Sequence, residues 1–210
     1  MNLFTQDPIR SAVMASFAVL FAVGAYRRAL SHRSGETLDR SKEGWPLMIG
    51  IRVLGLVSVI QTILVLTRPS VLEWARLALP VSVRWVGVVV IVAAVSLLCW
   101  MFVSLGRNLT DTVVTRREAT LVQHGPYRYI RNPMYSGLML LGVGIGLAME
   151  NVSIPATMLG VFVLQAIRTR TEEKYLIERF GDSYRDYMRR VGRFLPSAWK
   201  LRVARRGTLR

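Results

Sequence analysis

Cysteine and histidine are nearly absent from this 210-residue chain: Cys99 stands alone, and His32 and His124 are the two histidines. A single cysteine excludes an intramolecular disulfide and any cysteine-rich metal site. No H-x-x-x-H or comparable spacing occurs either, so no metal is expected. Cys99 lies inside an apolar run with no base beside it, where a thiolate would be disfavoured, and a nucleophilic role is not expected. Acidic residues are scarce as well, 13 against 28 lysines and arginines, for a formal charge of +15. Such a charge raises nucleic acid as a partner. The basic residues, however, flank apolar segments instead of forming one basic domain, and no nucleic-acid binding is expected. What the chain has in abundance is apolar sequence: 52% of its residues are hydrophobic, and its mean hydropathy is +0.35. Apolar spans joined by basic inner loops that meet anionic lipid headgroups account for both features together.

Apolar runs cover residues 9–26, 46–67, 85–106, 134–149 and 152–167. A bilayer core needs about 20 residues of helix, or somewhat fewer with polar ends at the interfaces. The sequence therefore predicts an all-α, polytopic membrane protein of about five transmembrane helices in a single domain, residues 1–210. Three spans fill 1–106, a polar loop fills 107–133, a transmembrane hairpin turning at Glu150 and Asn151 fills 134–167, and an amphipathic C-terminal helix and tail fill 168–210. The first run reads as a retained span, since Tyr26-Arg27-Arg28 follows it in place of a small-residue cleavage site.

Orientation follows from the basic residues. With the N-terminus outside, residues 27–45 carry five, residues 107–132 five, and the tail from Arg168 thirteen, whereas only Arg10, Arg68, Arg76 and Arg84 fall outside. This bias predicts an integral protein of the cell inner or plasma membrane, with the polar loop and the C-terminus cytoplasmic. Arg52, six residues into the second run, either snorkels to the interface or faces a headgroup or substrate. Gly142 and Gly146 form a small-xxx-small pair suited to close approach of another helix.

Between the third and fourth runs lies LVQHGPYRYIRNPMYSG, residues 121–137, a dense set of polar donors punctuated by Gly and Pro. Tyrosines and arginines at such a depth also serve as interfacial anchors, and Asn132-Pro133 can simply open a helix as cap and first residue. The tail RTRTEEKYLIERFGDSYRDY, residues 168–187, continues the fifth span through Arg179 and then breaks at Phe180-Gly181. Leu176, Phe180, Tyr184 and Tyr187 recur at spacings of 4, 4 and 3, one apolar-aromatic face. That face either lies on the inner leaflet or folds back over the polar loop. Glu172 and Glu173, beside Arg168 and Arg170, are suited to a zwitterion or cation at a membrane mouth.

The loop L-V-x-x-G-P-Y-R-Y-I-R-N-P-M-Y-S-G and the tail E-E-x-x-L-x-x-x-F-G-x-x-Y-x-x-Y resemble, in order and spacing, the two motifs of the isoprenylcysteine carboxyl methyltransferase and phospholipid methyltransferase superfamily. The resemblance covers about the last 95 residues. It implies a membrane methyltransferase that uses S-adenosylmethionine in a cytoplasmic pocket made by loop and tail, with a lipophilic small-molecule or lipid acceptor arriving sideways from the bilayer. In keeping with this, no strand followed by G-x-G-x-x-G occurs.

By matching position, the resemblance implies that Gly125 and Pro126 shape a turn toward the cofactor and that Leu121 and Val122 wall the adenine. Tyr127 and Tyr135 would face the sulfonium. Arg131 and Arg168 offer forks for a carboxylate of either cofactor or acceptor. Glu172 and Glu173 are expected to bind the cofactor's amino group or ribose, or to orient the acceptor. Arg131, Arg168 and Glu173 are thus the catalytic candidates, and Asn132 and Pro133 join the cofactor set. Two positions depart from the family pattern: Asn132 stands where a histidine is usual, and Ala119 where an upstream histidine often occurs. The short chain between the third and fourth runs suits a small lipid or isoprenoid better than a prenylated protein. An NADPH-dependent membrane reductase and a noncatalytic lipid-binding protein are the competing readings.

Overall fold

A computed structural model describes residues 7–32, 45–105 and 121–196. The basic segments 33–44 and 107–117, Ala119 and the tail beyond residue 196 lie outside these ranges. The described chain is helical: α1 (Pro8–His32), α2 (Trp45–Thr67), α3 (Val81–Leu105), α4 (Pro133–Ala148), α5 (Ser153–Phe180) and α6 (Asp182–Arg190). Short 3-10 turns at Pro69–Ala75 and Gly125–Arg128 join them, and no strand occurs among the described residues.

Three helices are long and apolar enough to cross a membrane: the Pro8–Tyr26 part of α1, then Trp45–Thr67 and Val81–Leu105. Helix α4 is apolar but shorter, at 16 residues. Helix α5 runs 28 residues without interruption from apolar sequence into the charged tail. Large side chains stay exposed along the outward faces, among them Val53, Leu56 and Ile60 of α2 and Val86 and Val89 of α3. Apolar surface on that scale belongs against lipid, not water, and the protein is an integral membrane protein.

Helix α3 packs against α1 and α4, α4 against α5, and α5 against α2. Glycine sets the tightest of these contacts. A Cβ on Gly87 of α3 would stand 2.4 Å from the Ala148 nitrogen and 2.7 Å from the Gly144 oxygen, so the α3 and α4 backbones touch directly. Gly142 and Gly146 face α5 as the small-residue spacing predicts, meeting Met158 and Pro155. The hairpin turns where the sequence places it. Asn151 Oδ1 accepts the Ser153 N–H at 3.1 Å, and Asn151 Nδ2 donates to the Leu72 carbonyl at 3.1 Å, tying the hairpin to the Pro69–Ala75 turn.

Charges close this end of the bundle. Arg84 pairs with Asp7 at 3.2 Å and donates to the Ala148 carbonyl at 3.2 Å, while the Glu150 carboxylate accepts the Leu79 N–H at 3.2 Å. The polar loop and the tail lie at the opposite end. Along α5, Met158, Val161, Gln165, Thr169 and Glu173 are buried at helical spacing, one inward face that leads from apolar packing to a buried carboxylate.

Candidate cofactor and active site

The loop begins as an extended segment and tightens into the 3-10 turn Gly125–Arg128. Gly125 has φ 61°, and a Cβ there would lie 2.0 Å from Ser104 Oγ. The close approach this glycine permits is to the end of α3. Buried Pro126 lends its carbonyl to the N–H groups of Tyr129 and Ile130, each at 3.0 Å.

Beyond the turn the loop pairs with the tail. Arg131 N–H donates to the Gly192 carbonyl at 2.8 Å and Asn132 N–H to the Arg193 carbonyl at 3.0 Å, and Ile130 bridges Gly192 in parallel register. Pro133 opens α4 as its first residue, as the cap reading has it. The Asn132 side chain makes no cap; its Nδ2 donates to the Arg193 carbonyl at 3.4 Å. Ser136 Oγ donates to the Phe194 carbonyl at 2.6 Å, and the Phe194 ring meets Phe162 of α5 edge-on at 5.0 Å.

The tail folds back over the loop. Helix α5 ends at Phe180, the chain turns at Gly181 (φ 55°), and α6 buries Tyr184, Tyr187 and Val191 with Leu121, Leu176, Ile177, Phe180 and Met188 packed around them. Of the two readings of the aromatic face, packing onto the loop is the one observed. Tyr187 O–H donates to the Tyr127 carbonyl at 2.6 Å. Burial pushes the phenols of Tyr127, Tyr184 and Tyr187 well above the ordinary tyrosine range.

The adjacent glutamates serve two different clusters. Glu173, buried, accepts from Arg131 Nε at 3.1 Å and Nη2 at 2.8 Å, and from both Nε and Nη2 of Arg193, the former at 3.2 Å. Arg131 Nη1 also donates to the carbonyls of Met188 at 3.0 Å and Val191 at 2.6 Å. The Arg131 fork is thus engaged within the protein. About 100° around α5 from Glu173, Tyr135 O–H donates to Glu172 at 2.9 Å and Arg168 Nε lies 3.2 Å from the same carboxylate. The result is a partly exposed anion, a cation and a phenol side by side where the first turn of α4 meets α5.

Every candidate from the sequence lies within this assembly. Leu121 packs on α6 with half-buried Val122 next to it in the chain, Gly125, Pro126 and Tyr127 form the turn, and Asn132 and Pro133 join loop to α4. Arg131 and Glu173 bind one another, and Arg168, Glu172 and Tyr135 form the second cluster. Arg193 and Ser136 are additions. No spacing signals them, because Arg193 is one basic residue among many in the tail and Ser136 finds its partner in a backbone carbonyl.

Residues 82–183 match the phospholipid methyltransferase family. The protein-S-isoprenylcysteine O-methyltransferase of Schizosaccharomyces pombe is 33% identical over 97 residues, covering 45% of this chain and 41% of that protein. The B form of the Arabidopsis thaliana enzyme is 35% identical over 97 residues, 45% of this chain and 49% of its own. The matched part of the chain thus spans about half the length of these curated relatives or less. The solved structure of a eukaryotic intramembrane Ras methyltransferase, an isoprenylcysteine carboxyl methyltransferase, has the same fold, with a TM-score of 0.59 at 19% identity over 92% of this chain and 70% of that one. From its third helix through α5, the chain is thus similar to the phospholipid methyltransferase family and to protein-S-isoprenylcysteine O-methyltransferases.

Proposed function

We propose that this protein transfers a methyl group from S-adenosylmethionine to a lipophilic acceptor, an isoprenoid or lipid carboxylate, thiol or amine, that reaches the site from the bilayer. The observation that carries the reading is the joining of the two motif segments by side chains, Arg131 to Glu173, Tyr135 to Glu172 and Tyr187 to the Tyr127 carbonyl, with Arg168 beside Glu172. The donor set suits the cofactor's chemistry. A carboxylate can receive its ammonium, a guanidinium its carboxylate, and phenol oxygens can lie against a positive sulfur. Arg168, Glu172 and Tyr135 take these parts, with Leu121, Val122, Gly125, Pro126, Tyr127, Asn132 and Pro133 shaping the wall.

Bound there, S-adenosylmethionine supplies a methyl group on an already activated sulfonium. The protein then has to position the acceptor in line and keep water out. Arg131 and Glu173 contribute by holding tail to loop, since their polar atoms are committed to each other, to Arg193 and to two carbonyls. Both glutamates are engaged by arginines. An acceptor already ionised at neutral pH, a carboxylate, or an easily deprotonated thiol fits better than an ammonium that must first lose a proton. The charge bias of loops and tail supports a site on the cytoplasmic side.

Calorimetry in detergent tests the reading: S-adenosylmethionine and S-adenosylhomocysteine are expected to bind and NADPH is not. Binding of neither methyl cofactor would refute it. Incubating lipid extracts with methyl-labelled cofactor would identify the acceptor from the labelled product.

A further inference from the structure

The end of the bundle away from the polar loop holds a cleft of about 280 Å³. Arg84, in its wall, donates to the Ala148 carbonyl, about 20 Å along α4 from Tyr135 at 1.5 Å rise per residue. Four parts of the fold meet there. The start of α1 brings Asp7 and Arg10, the Pro69–Ala75 turn brings Glu73 with Arg76 just after it, α3 brings Arg84, and the hairpin brings Glu150. Three arginines thus stand among three carboxylates, a formal balance of zero.

The pairing inside the cleft is uneven. Arg84 is held by Asp7 at 3.2 Å as well as by the Ala148 carbonyl, and Glu150 accepts the Leu79 N–H at 3.2 Å. Arg10 has less. Its side chain is 20% exposed, its Nε is sealed and bonded to nothing, and its carboxylate contact among the described residues is Asp7 at 4.0 Å. With Nε closed, a ligand can meet Arg10 only at its two terminal nitrogens. A largely buried guanidinium short of an anion is costly, and an oxyanion in the cleft relieves it. Glu73 has capacity to spare in the opposite sense: it is 59% exposed, and Arg76 donates to its Oε1 at 3.1 Å, which leaves the second oxygen open to another donor.

The lining narrows the ligand. A bare anion would meet three carboxylates and a bare cation three arginines, so a zwitterion carrying both charges is the complement. No aromatic side chain among the described residues lines the cleft. A quaternary ammonium has no N–H to donate and is recognised by aromatic faces, whereas a primary ammonium brings three N–H groups to carboxylate oxygens. The volume lies just under that of drug-sized sites, the scale of a headgroup. Val65, Leu72 and Met149 make part of the wall apolar. Exposed Val71, Trp74 and Leu77 flank the lining residues Leu72, Glu73 and Arg76 in the chain, and a tryptophan so placed belongs at the membrane–water interface.

We infer that this cleft binds the headgroup of a phospholipid carrying a primary amine, drawn from the leaflet opposite the Arg168–Glu172–Tyr135 cluster, with the phosphate on Arg10 and Arg76 and the ammonium on Glu73. This lipid is not the methyl acceptor. It sits at the far end of α4, where it ties the start of α1 to the turn after α2.

Native mass spectrometry of the full chain in detergent measures the affinities of dioleoyl phosphatidylethanolamine, of the matching phosphatidylcholine, which has no N–H, and of phosphatidylethanol, which keeps the phosphate and loses the amine. Wild type is expected to prefer the first over either of the others by about tenfold. Arg10→Met removes the guanidinium and leaves Asp7 its bond to Arg84; it is expected to weaken phosphatidylethanolamine and phosphatidylethanol alike by about tenfold. Glu73→Met breaks only an exposed pair, and it is expected to shrink the preference for the amine to about twofold or less while phosphatidylethanol binds as before. Equal affinities in wild type, unchanged binding in Arg10→Met, or a preference that survives Glu73→Met would each overturn the proposal. Free O-phosphoethanolamine at matched concentration is expected to leave the lipid bound; displacement would make the ligand a soluble zwitterion and overturn the assignment to a lipid.

Discussion

Replacing Glu173 by Gln removes one charge and almost no volume from the most heavily bonded side chain of the site. Arg131 and Glu173 are each 6% exposed at the side chain, so the variant leaves a buried guanidinium without its anion. Breaking such a pair from one side typically costs about 3–5 kcal/mol. Arg131 keeps its bonds to the Met188 and Val191 carbonyls, which puts the cost near the lower bound, about 3 kcal/mol. Arg193, 36% exposed, turns to water when released, and its share is at most about 1 kcal/mol.

The loss falls on the junction of loop and tail rather than on the spans, so local opening is the quantity to measure. The amides of Arg131 and Asn132, which donate to Gly192 and Arg193, report it directly by hydrogen exchange. Their exchange in Glu173→Gln is expected to rise about a hundredfold, with helix content unchanged. Arg193→Gln is expected to raise it by only about fivefold or less. Exchange in Glu173→Gln within about threefold of wild type would refute the view that this carboxylate holds the tail in place.

Two further outcomes follow from the same geometry. Gly125→Ala combines a strained φ with a clash at Ser104; it is expected to cost about 1–3 kcal/mol at the turn and to weaken cofactor binding while the spans stay folded, read by calorimetry and thermal unfolding in detergent. The buried phenols of Tyr127, Tyr184 and Tyr187 titrate higher in the folded than in the unfolded chain. Their contribution is therefore complete below the ordinary tyrosine value of about 10 and is lost as pH rises through the raised values. Tail docking is expected to be flat from neutral pH up to that value and to weaken above it, followed by phenolate absorbance alongside unfolding.

Much of this architecture is legible in the chain because it depends on local properties. Bare apolar length marks the first three spans, Glu150-Asn151 marks the hairpin, and the 4, 4, 3 spacing of Leu176, Phe180, Tyr184 and Tyr187 marks the face that packs on the loop. Periodicity reports a face but not its partner, which is why the membrane surface and the loop competed for α6 until the fold placed it. The pairing of Arg131 with Glu173 and of Arg168 with Glu172 was equally open, since i and i+1 on a helix point about 100° apart and the tertiary fold decides what each meets. The carbonyls of Met188, Val191, Gly192 and Phe194 carry no sequence signal at all, because every residue has one.

The short parallel pairing of Ile130–Asn132 with Gly192–Arg193 also sets an order of events during synthesis. Asn132 and Arg193 are 61 residues apart, and the whole hairpin and α6 are made between them. When the polar loop first leaves the ribosome, its Arg131 and Asn132 amides and the Arg131 guanidinium have only water to bind. Spans can insert and pack during that interval, but the site cannot close until the last of its carbonyl partners arrives. Closure of this junction is thus a late step, and a chain stopped before residue 191 would hold its earlier helices and lack the carbonyl partners of Arg131 and Asn132.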